Sequence, residues 1–137
     1  MAVRLEALSD ALTGLLYLTR LDLSELAKTL DSRLIDGIEN GKAQKFEYTM
    51  ELCWKAIKDA LREQEGLDEA SPKKVIKAWY LTGHLTQDDY ADLLQAIDDR
   101  NRLSHVYDEK TFRDILTRIT DHAELLERIS TTLKSFG

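Results

Sequence analysis

Apolar residues recur at helical spacing along most of this chain, and that pattern restricts its fold more than any other feature. Leu, Ala, Glu, Lys and Arg, which favour helices, are abundant, whereas one Pro and six Gly are too few for an all-β chain with many tight turns. The sequence therefore predicts an all-α fold. The last expected helix has an apolar stripe that consists of Phe112, Ile115, Leu116, Ile119, Ala123, Leu126, Ile129 and Leu133.

The first half of the chain divides at helix start and stop signals. A helix is expected from Ala2 to Thr19, and a short one within Leu21–Leu30, where Ser24 is the expected N-cap. The longest helix is expected from Ser32 to Glu65, because Gly66 is a typical stop.

The second half supplies two or three further helices. Ser71 and Pro72 start a short one as N-cap and first helical residue, and it ends near Gly83. Its expected buried residues are Val75, Ile76 and Trp79. Thr86 starts the next helix and Asp108 caps the last. Short connections predict an antiparallel bundle of four or five helices, forming a single domain over residues 1–137.

Charge and composition exclude several classes of protein. The net charge of −6 shows that the surface as a whole is not positively charged, as a general nucleic-acid-binding surface would be. Any RNA contact must therefore be local. The single Cys53 rules out an intrachain disulfide and a Cys-rich zinc site. No apolar run approaches the ~20 residues of a membrane span, and Arg4, Glu6 and Asp10 interrupt any signal-peptide pattern. These features predict a cytoplasmic protein.

Common catalytic motifs are missing. The sequence has no Gly-rich phosphate loop and no Gly-Ser followed by an Asp-x-Asp pair, so the chain is not expected to be a nucleotidyltransferase itself. His and Cys do not occur at metal-ligand spacing, and no metal or cofactor is expected. The adjacent acidic pairs Asp88/Asp89 and Asp98/Asp99 diverge on a helix and are interpreted as solvated surface.

One stretch, from Arg100 to Tyr107, places polar residues where an apolar stripe should continue. The stripe before it consists of Tyr90, Leu93, Leu94 and Ile97. Its helical continuation consists of Arg100, Asn101, Ser104 and His105. Polar groups at such positions find partners in a groove or an interface, or they reduce stability.

His105 is the histidine best placed for chemistry. His84 is expected at a helix end and His122 beside the last apolar stripe, whereas His105 lies among Arg, Asn, Ser and Tyr. Arg100 precedes it by five positions, which is about 140° around an ideal helix. The two side chains can act together if the helix ends near Ser104, or if two copies pack against each other.

An Arg beside a His is the minimum set of side chains for RNA cleavage without a metal. The His moves a proton on or off the 2′-OH or the leaving oxygen, and the Arg holds the phosphate and its growing charge. Spacing alone leaves a second interpretation open, in which Arg100 and His105 only make helix-end hydrogen bonds and a salt bridge to Asp99 or Asp108.

Three blocks, in order, resemble a known family. RNRLSHVYDE at 100–109 resembles the Arg-x4-His-x-Tyr signature of HEPN domains. FEYTMELCWK at 46–55 resembles a block of the HEPN branch called nucleotidyltransferase substrate-binding proteins, and SPKKVI at 71–76 fits the same branch.

The resemblance implies a HEPN four-helix-type bundle, usually a homodimer, and a partner: a separate minimal nucleotidyltransferase encoded nearby. In toxin–antitoxin members the HEPN chain is a metal-independent ribonuclease. Arg100 and His105 would then be the catalytic pair at the dimer groove, with Asn101 and Ser104 in support. The partner would neutralise the toxin by adding AMP to Tyr107.

Two other functions stay open. The bundle could be a non-catalytic subunit that presents substrate to the nucleotidyltransferase, or a dimerisation module whose Arg-His pair is structural. Phe46, Met50 and Trp54 are expected in the core. Glu47 and Glu51 lie beside them, and we expect Arg100 to be the cation that pairs with one of these carboxylates.

Overall fold

A computed structural model describes residues 2–105 and 108–136, and within those ranges the chain contains helices and turns but no strand. The helices are α1 (Ala2–Thr19), α2 (Leu23–Leu26), α3 (Ser32–Ala60), α4 (Pro72–Leu81), α5 (Gln87–Leu103) and α6 (Glu109–Lys134). The expected all-α bundle is confirmed. None of these helices has the length and apolar character needed to cross a membrane.

Helix α3 occupies the centre, packing against α1, α4, α5 and α6. Ion pairs and hydrogen bonds give the directions. Arg4 near the start of α1 contacts Asp59 near the end of α3, and Ser9 contacts Lys134 at the end of α6. Helix α1 is therefore antiparallel to both α3 and α6.

The apolar stripes expected from the sequence form the core. Every predicted stripe residue of α4 is buried, and so is every one of α6 except the half-buried Phe112. Phe46 and Met50 of α3 are fully buried, while Trp54 packs at the edge of the core. Burial of these side chains is what holds the helices together, at roughly 1.5–3 kcal/mol for each fully buried large one.

Most predicted helix caps are correct, and one is wrong. The Thr86 hydroxyl accepts from the Asp89 amide, and the Asp108 carboxylate accepts from the amides of Lys110 and Thr111. Asp22 rather than Ser24 caps α2: its carboxylate accepts the backbone amide three residues on, and the serine hydroxyl donates to it. Ser24 is the second residue of the helix, so it lies inside α2 and cannot be its N-cap.

The long helix changes form before it stops. After Ala60 the chain makes a π-helical turn over Leu61–Glu65, and Gly66 then adopts φ +66°. The stop at Gly66 is as expected, since a left-handed residue without a Cβ is favourable there. Ser71 takes the N-cap position of α4 with extended backbone but makes no capping hydrogen bond with its side chain. Pro72 occupies the first helical position, where its missing backbone N–H costs no intrahelical hydrogen bond.

Cys53 provides a test of core integrity. Its side chain is fully buried, and burial raises the pKa of its thiol to about 12. Because the thiolate is the reactive form, we expect iodoacetamide at pH 8 to alkylate Cys53 no faster than the protein unfolds. Alkylation followed by mass spectrometry, with and without urea, measures this. Native labelling at the rate of a free thiol would contradict it.

Candidate functional site

The candidate site lies at the C-terminal end of α5. The helix ends at Leu103, Ser104 is its C-cap, and the amide of His105 donates to the carbonyl of Arg102. Asn101, Ser104 and His105 are exposed. In the single chain these three side chains therefore face solvent and do not continue the buried stripe, although Leu103 beside them still packs against the core.

Arg100 is the member of the predicted set that turns inward. Its side chain is 31% exposed, and its Nη2 donates to Glu51 Oε2 of α3 at 2.6 Å. Its Nη1 donates to Asn101 Oδ1 at 3.3 Å. Its Nε is buried and has no hydrogen-bond partner among the described residues. One guanidinium thus combines a strong ion pair with an unused donor.

Glu51 holds three donors at once. Besides Arg100, it accepts from the Trp54 indole Nε1 at 3.1 Å and pairs with Lys55 Nζ at 3.1 Å. Burial alone would raise the pKa of the Glu51 carboxyl, but these bonds and the charges of Lys55 and Arg100 outweigh it and lower that pKa. Glu51 is therefore a stable anion directly behind the candidate site.

Glu47 lies one turn earlier on α3 and differs from Glu51. Burial raises the pKa of its carboxyl, and the charge of Arg100 opposes that shift. Within the described ranges the ion-pair partner of Arg100 is Glu51, not Glu47. Glu47 instead lines a groove of about 350 Å³ between α3, α5 and α6, together with Asn40, Ala43, Gln44, Leu103 and Phe112.

The remaining site predictions concern His105 and Tyr107. Helix α5 ends at Leu103, but Ser104 keeps right-handed helical backbone, and the hydrogen bonds of the Arg100 side chain go to Glu51 and Asn101. That Arg100 and His105 act together therefore stays a prediction. Tyr107 lies outside the described residues.

The environment of Asp99 differs from the solvated surface that the sequence predicts for the pair Asp98 and Asp99. Asp98 is partly exposed and pairs with Lys73, as a surface carboxylate should. Asp99, by contrast, is 0% exposed. Its Oδ1 and Oδ2 each accept from Arg118 of α6 at 2.8 Å, and Oδ2 lies 2.7 Å from His122 Nε2. The interpretation of Asp99 as solvated surface is wrong, because α6 supplies donors that only the folded chain brings to it.

The Asp99–Arg118–His122 cluster joins α5 to α6 beside the site. Burial alone would raise the pKa of the Asp99 carboxyl, but the hydrogen bonds and charges of Arg118 and His122 hold that pKa below its usual range. His122 also stacks on Phe46 at 5.3 Å between ring centroids, so its expected packing role is only half of what it does. The sequence contains a signal for this cluster. Arg118 and His122 are four residues apart and therefore share a face of α6 that is otherwise apolar, which indicates a buried polar partner.

His84 has structural partners at the other end of the bundle. Its ring stacks on Trp79 at 5.5 Å, and its Nε2 lies 3.1 Å from Glu65. A second groove, of about 370 Å³, lies between α5 and α6 over Arg118 and His122. Three carboxylates line it, those of Asp92, Asp121 and Glu124, and its two arginines are already paired, Arg118 with Asp99 and Arg128 with Asp89, so it is less favourable for a phosphate. The end of α5 is therefore the better place for an anionic ligand.

The family of the chain follows from its sequence. The profile of the family described as "Nucleotidyltransferase substrate binding protein like" matches residues 7–135. The chain belongs to this family. No curated protein matched it in a sequence search.

Two solved structures are similar to it. A crystal structure of a protein from Thermus thermophilus has 34% sequence identity and a TM-score of 0.80, covering 92% of this chain and 98% of that one. A tri-AMPylated Shewanella oneidensis HEPN toxin, in complex with an MNT antitoxin, has 17% identity and a TM-score of 0.70, covering 98% and 96%. The second likeness concerns the fold.

Proposed function

We propose that the chain is a metal-independent ribonuclease toxin that is restrained by a separate minimal nucleotidyltransferase. The observation that carries the proposal is the end of α5, where Arg100 and Asn101 occupy the last turn and His105 follows on an exposed segment. The family, and the solved complex of a HEPN toxin with its antitoxin, support a nucleotidyltransferase as partner.

The chemistry needs only this chain's side chains. His105 takes the proton of a ribose 2′-OH, whose oxygen attacks the adjacent phosphorus, and the P–O5′ bond breaks with a proton delivered to the leaving oxygen. Arg100 binds the phosphate oxygens and offsets the charge that grows on them. A second copy of the chain, packed at the same end, would bring a second His105 to serve as the other proton donor or acceptor.

The groove beside the site offers an RNA strand surfaces for its bases rather than for its phosphates, because Glu47 is the charged residue among the described residues that line it. It begins at Leu103, next to the candidate residues, and Phe112 gives it an aromatic wall against which a base can stack. Asn40 and Gln44 offer amide groups to base edges. Since the net charge is −6, this local arrangement rather than the overall field must hold the RNA. The proposal places the protein in the cytoplasm, where such RNA occurs.

The test uses the purified full chain with and without its partner. We expect the chain alone to cleave RNA equally well with EDTA present, because no metal takes part. After incubation with the partner nucleotidyltransferase and ATP, we expect cleavage to fall and the mass of the chain to rise by one or more AMP units. The matched control is Tyr107→Phe, which should stay active and unmodified. An intact RNA pool with the chain alone would overturn the ribonuclease proposal.

A second candidate function rests on the family description itself: a non-catalytic subunit that presents substrate to the nucleotidyltransferase. The ion pair between Arg100 and Glu51 favours it, because that pair occupies a cation needed for phosphate binding. This candidate predicts intact RNA, no growth arrest when the chain is expressed alone, and a higher rate of nucleotide transfer by the partner when the chain is added.

A further inference from the structure

Arg100 and Glu51 form an unequal pair. Glu51 takes one guanidinium nitrogen, through a single contact of 2.6 Å between Oε2 and Nη2. A phosphate group usually takes two nitrogens of the fork in parallel bonds. The Nε atom, which is part of that fork, is buried with no partner among the described residues. An unpaired buried donor lowers stability, so the observed conformer leaves Arg100 incompletely satisfied.

Glu51 is able to release Arg100 without becoming an unpaired anion. Lys55 Nζ lies 3.1 Å from its Oε1, and the Trp54 indole lies 3.1 Å from its Oε2. The side chains of Arg100 and Glu51 are each 31% exposed, so neither charge is sealed from water when the pair opens. When the pair opens, Glu51 thus keeps two donors and Arg100 is accessible to water or to a ligand.

We propose that Glu51 is a displaceable counter-ion, which holds Arg100 while the site is empty and yields it to a phosphodiester phosphate of RNA. This inference rests on Arg100 being the phosphate ligand of the proposed ribonuclease. In the exchange, Arg100 replaces one bond to a carboxylate with a two-bond contact to phosphate, and Glu51 keeps Lys55 and Trp54. The carboxylate therefore sets how tightly the site binds phosphate and keeps weaker anions out.

The experiment measures binding without cleavage. Its probes are inorganic phosphate and a short oligodeoxyribonucleotide, which has phosphodiesters but lacks the 2′-OH that cleavage requires. Binding is followed by NMR through the Nε–H resonance of Arg100, assigned with Arg100→Lys. We expect Glu51→Gln to bind both probes about five-fold more tightly, a size typical of losing one partly exposed ion pair. Glutamine keeps the shape and can still accept from Trp54, so the fold should survive.

The matched control is Asp59→Asn. Asp59 lies on the same helix, about 12 Å further along, pairs with Arg4, and gives the same change in net charge. Tighter binding in Glu51→Gln with no change in Asp59→Asn supports the exchange. Equal tightening in both variants would reduce the effect to overall charge and overturn the proposal. Unchanged or weaker binding in Glu51→Gln would overturn it too, because Glu51 would then only position Arg100.

A second variant leaves the pair itself intact. Lys55→Met removes the cation that would hold Glu51 after release, so we expect weaker phosphate binding than in Lys58→Met, a control with the same loss of charge on the same helix. Equal binding in the two would contradict the exchange. If the wild-type chain cleaves no RNA and Glu51→Gln still binds phosphate more tightly, the exchange stands and the ribonuclease proposal fails.

Discussion

Replacing His105 by alanine is expected to reduce RNA cleavage about 10²- to 10⁴-fold, the contribution of one general acid or base. Expression of the wild-type chain alone should arrest growth, and the variant should not. The reason is that no other described histidine is placed to replace His105: His84 is bonded to Glu65 and His122 to Asp99. A gel assay of cleavage on purified protein measures the effect.

The fold should be unaffected by this change. His105 is exposed after the end of α5, and substitutions at such positions usually alter the free energy of unfolding by less than about 0.5 kcal/mol. Arg102→Ala is the matched control, since Arg102 is exposed in the same last turn and is outside the proposed catalytic pair. Growth arrest that persists in His105→Ala, or an equal loss of cleavage in Arg102→Ala, would count against His105 as the catalyst.

Replacing Asp99 by asparagine is expected to destabilise the chain by about 3 kcal/mol. The change leaves His122 buried opposite a neutral amide and removes the carboxylate that Arg118 binds through two nitrogens. This loss of stability lies at the lower end of the range for breaking a buried ion pair, because the side chain of Arg118 is 36% exposed and can be solvated by water instead. Urea unfolding followed by circular dichroism gives the free energy.

The adjacent residue supplies the control. Asp98→Asn removes the same charge from the next position of the same helix, but its ion pair with Lys73 is solvent-exposed and worth less than about 1 kcal/mol. A difference between the two variants isolates burial. Equal losses of stability would mean that the cluster contributes no more than a surface pair does.

The same comparison predicts a dependence on pH. The folded chain lowers the pKa of Asp99 below its unfolded value of about 3.9, so the cluster stabilises the fold fully above that pH. The contribution is lost as the pH falls further, through the folded pKa. Below about pH 4 the gap in stability between wild type and Asp99→Asn should therefore narrow. A gap that does not narrow as the pH falls below the unfolded pKa of Asp99 would contradict the role of the carboxylate.

The parts of the fold that depend on local sequence could be predicted. Helix positions followed from apolar spacing, and the caps at Thr86 and Asp108 from side chains that reach the next amides. The Ser24 cap was wrong because two acceptors lie two residues apart and only geometry decides between them. The stop at Gly66 was correct, but the π-helical turn before it carries no distinct sequence signal.

The site was predictable only in part. The contact between Arg100 and Glu51 follows from a cation and a carboxylate that both face the space between two helices. The burial of Asp99 depends on the register of α5 against α6, which no local pattern specifies. Only the pair of Arg118 and His122, four apart on an apolar face, hinted that a carboxylate must meet them.

Two successive residues connect the end of α5 to two different helices. Asp99 binds α6 and Arg100 binds α3, because neighbours on a helix point about 100° apart. A deletion of one residue earlier in α5 would turn both side chains away from their partners together. The spacing between the core of α5 and the site is thus fixed by these two contacts, and we expect an insertion or deletion to be tolerated in the connections outside the helix rather than within it.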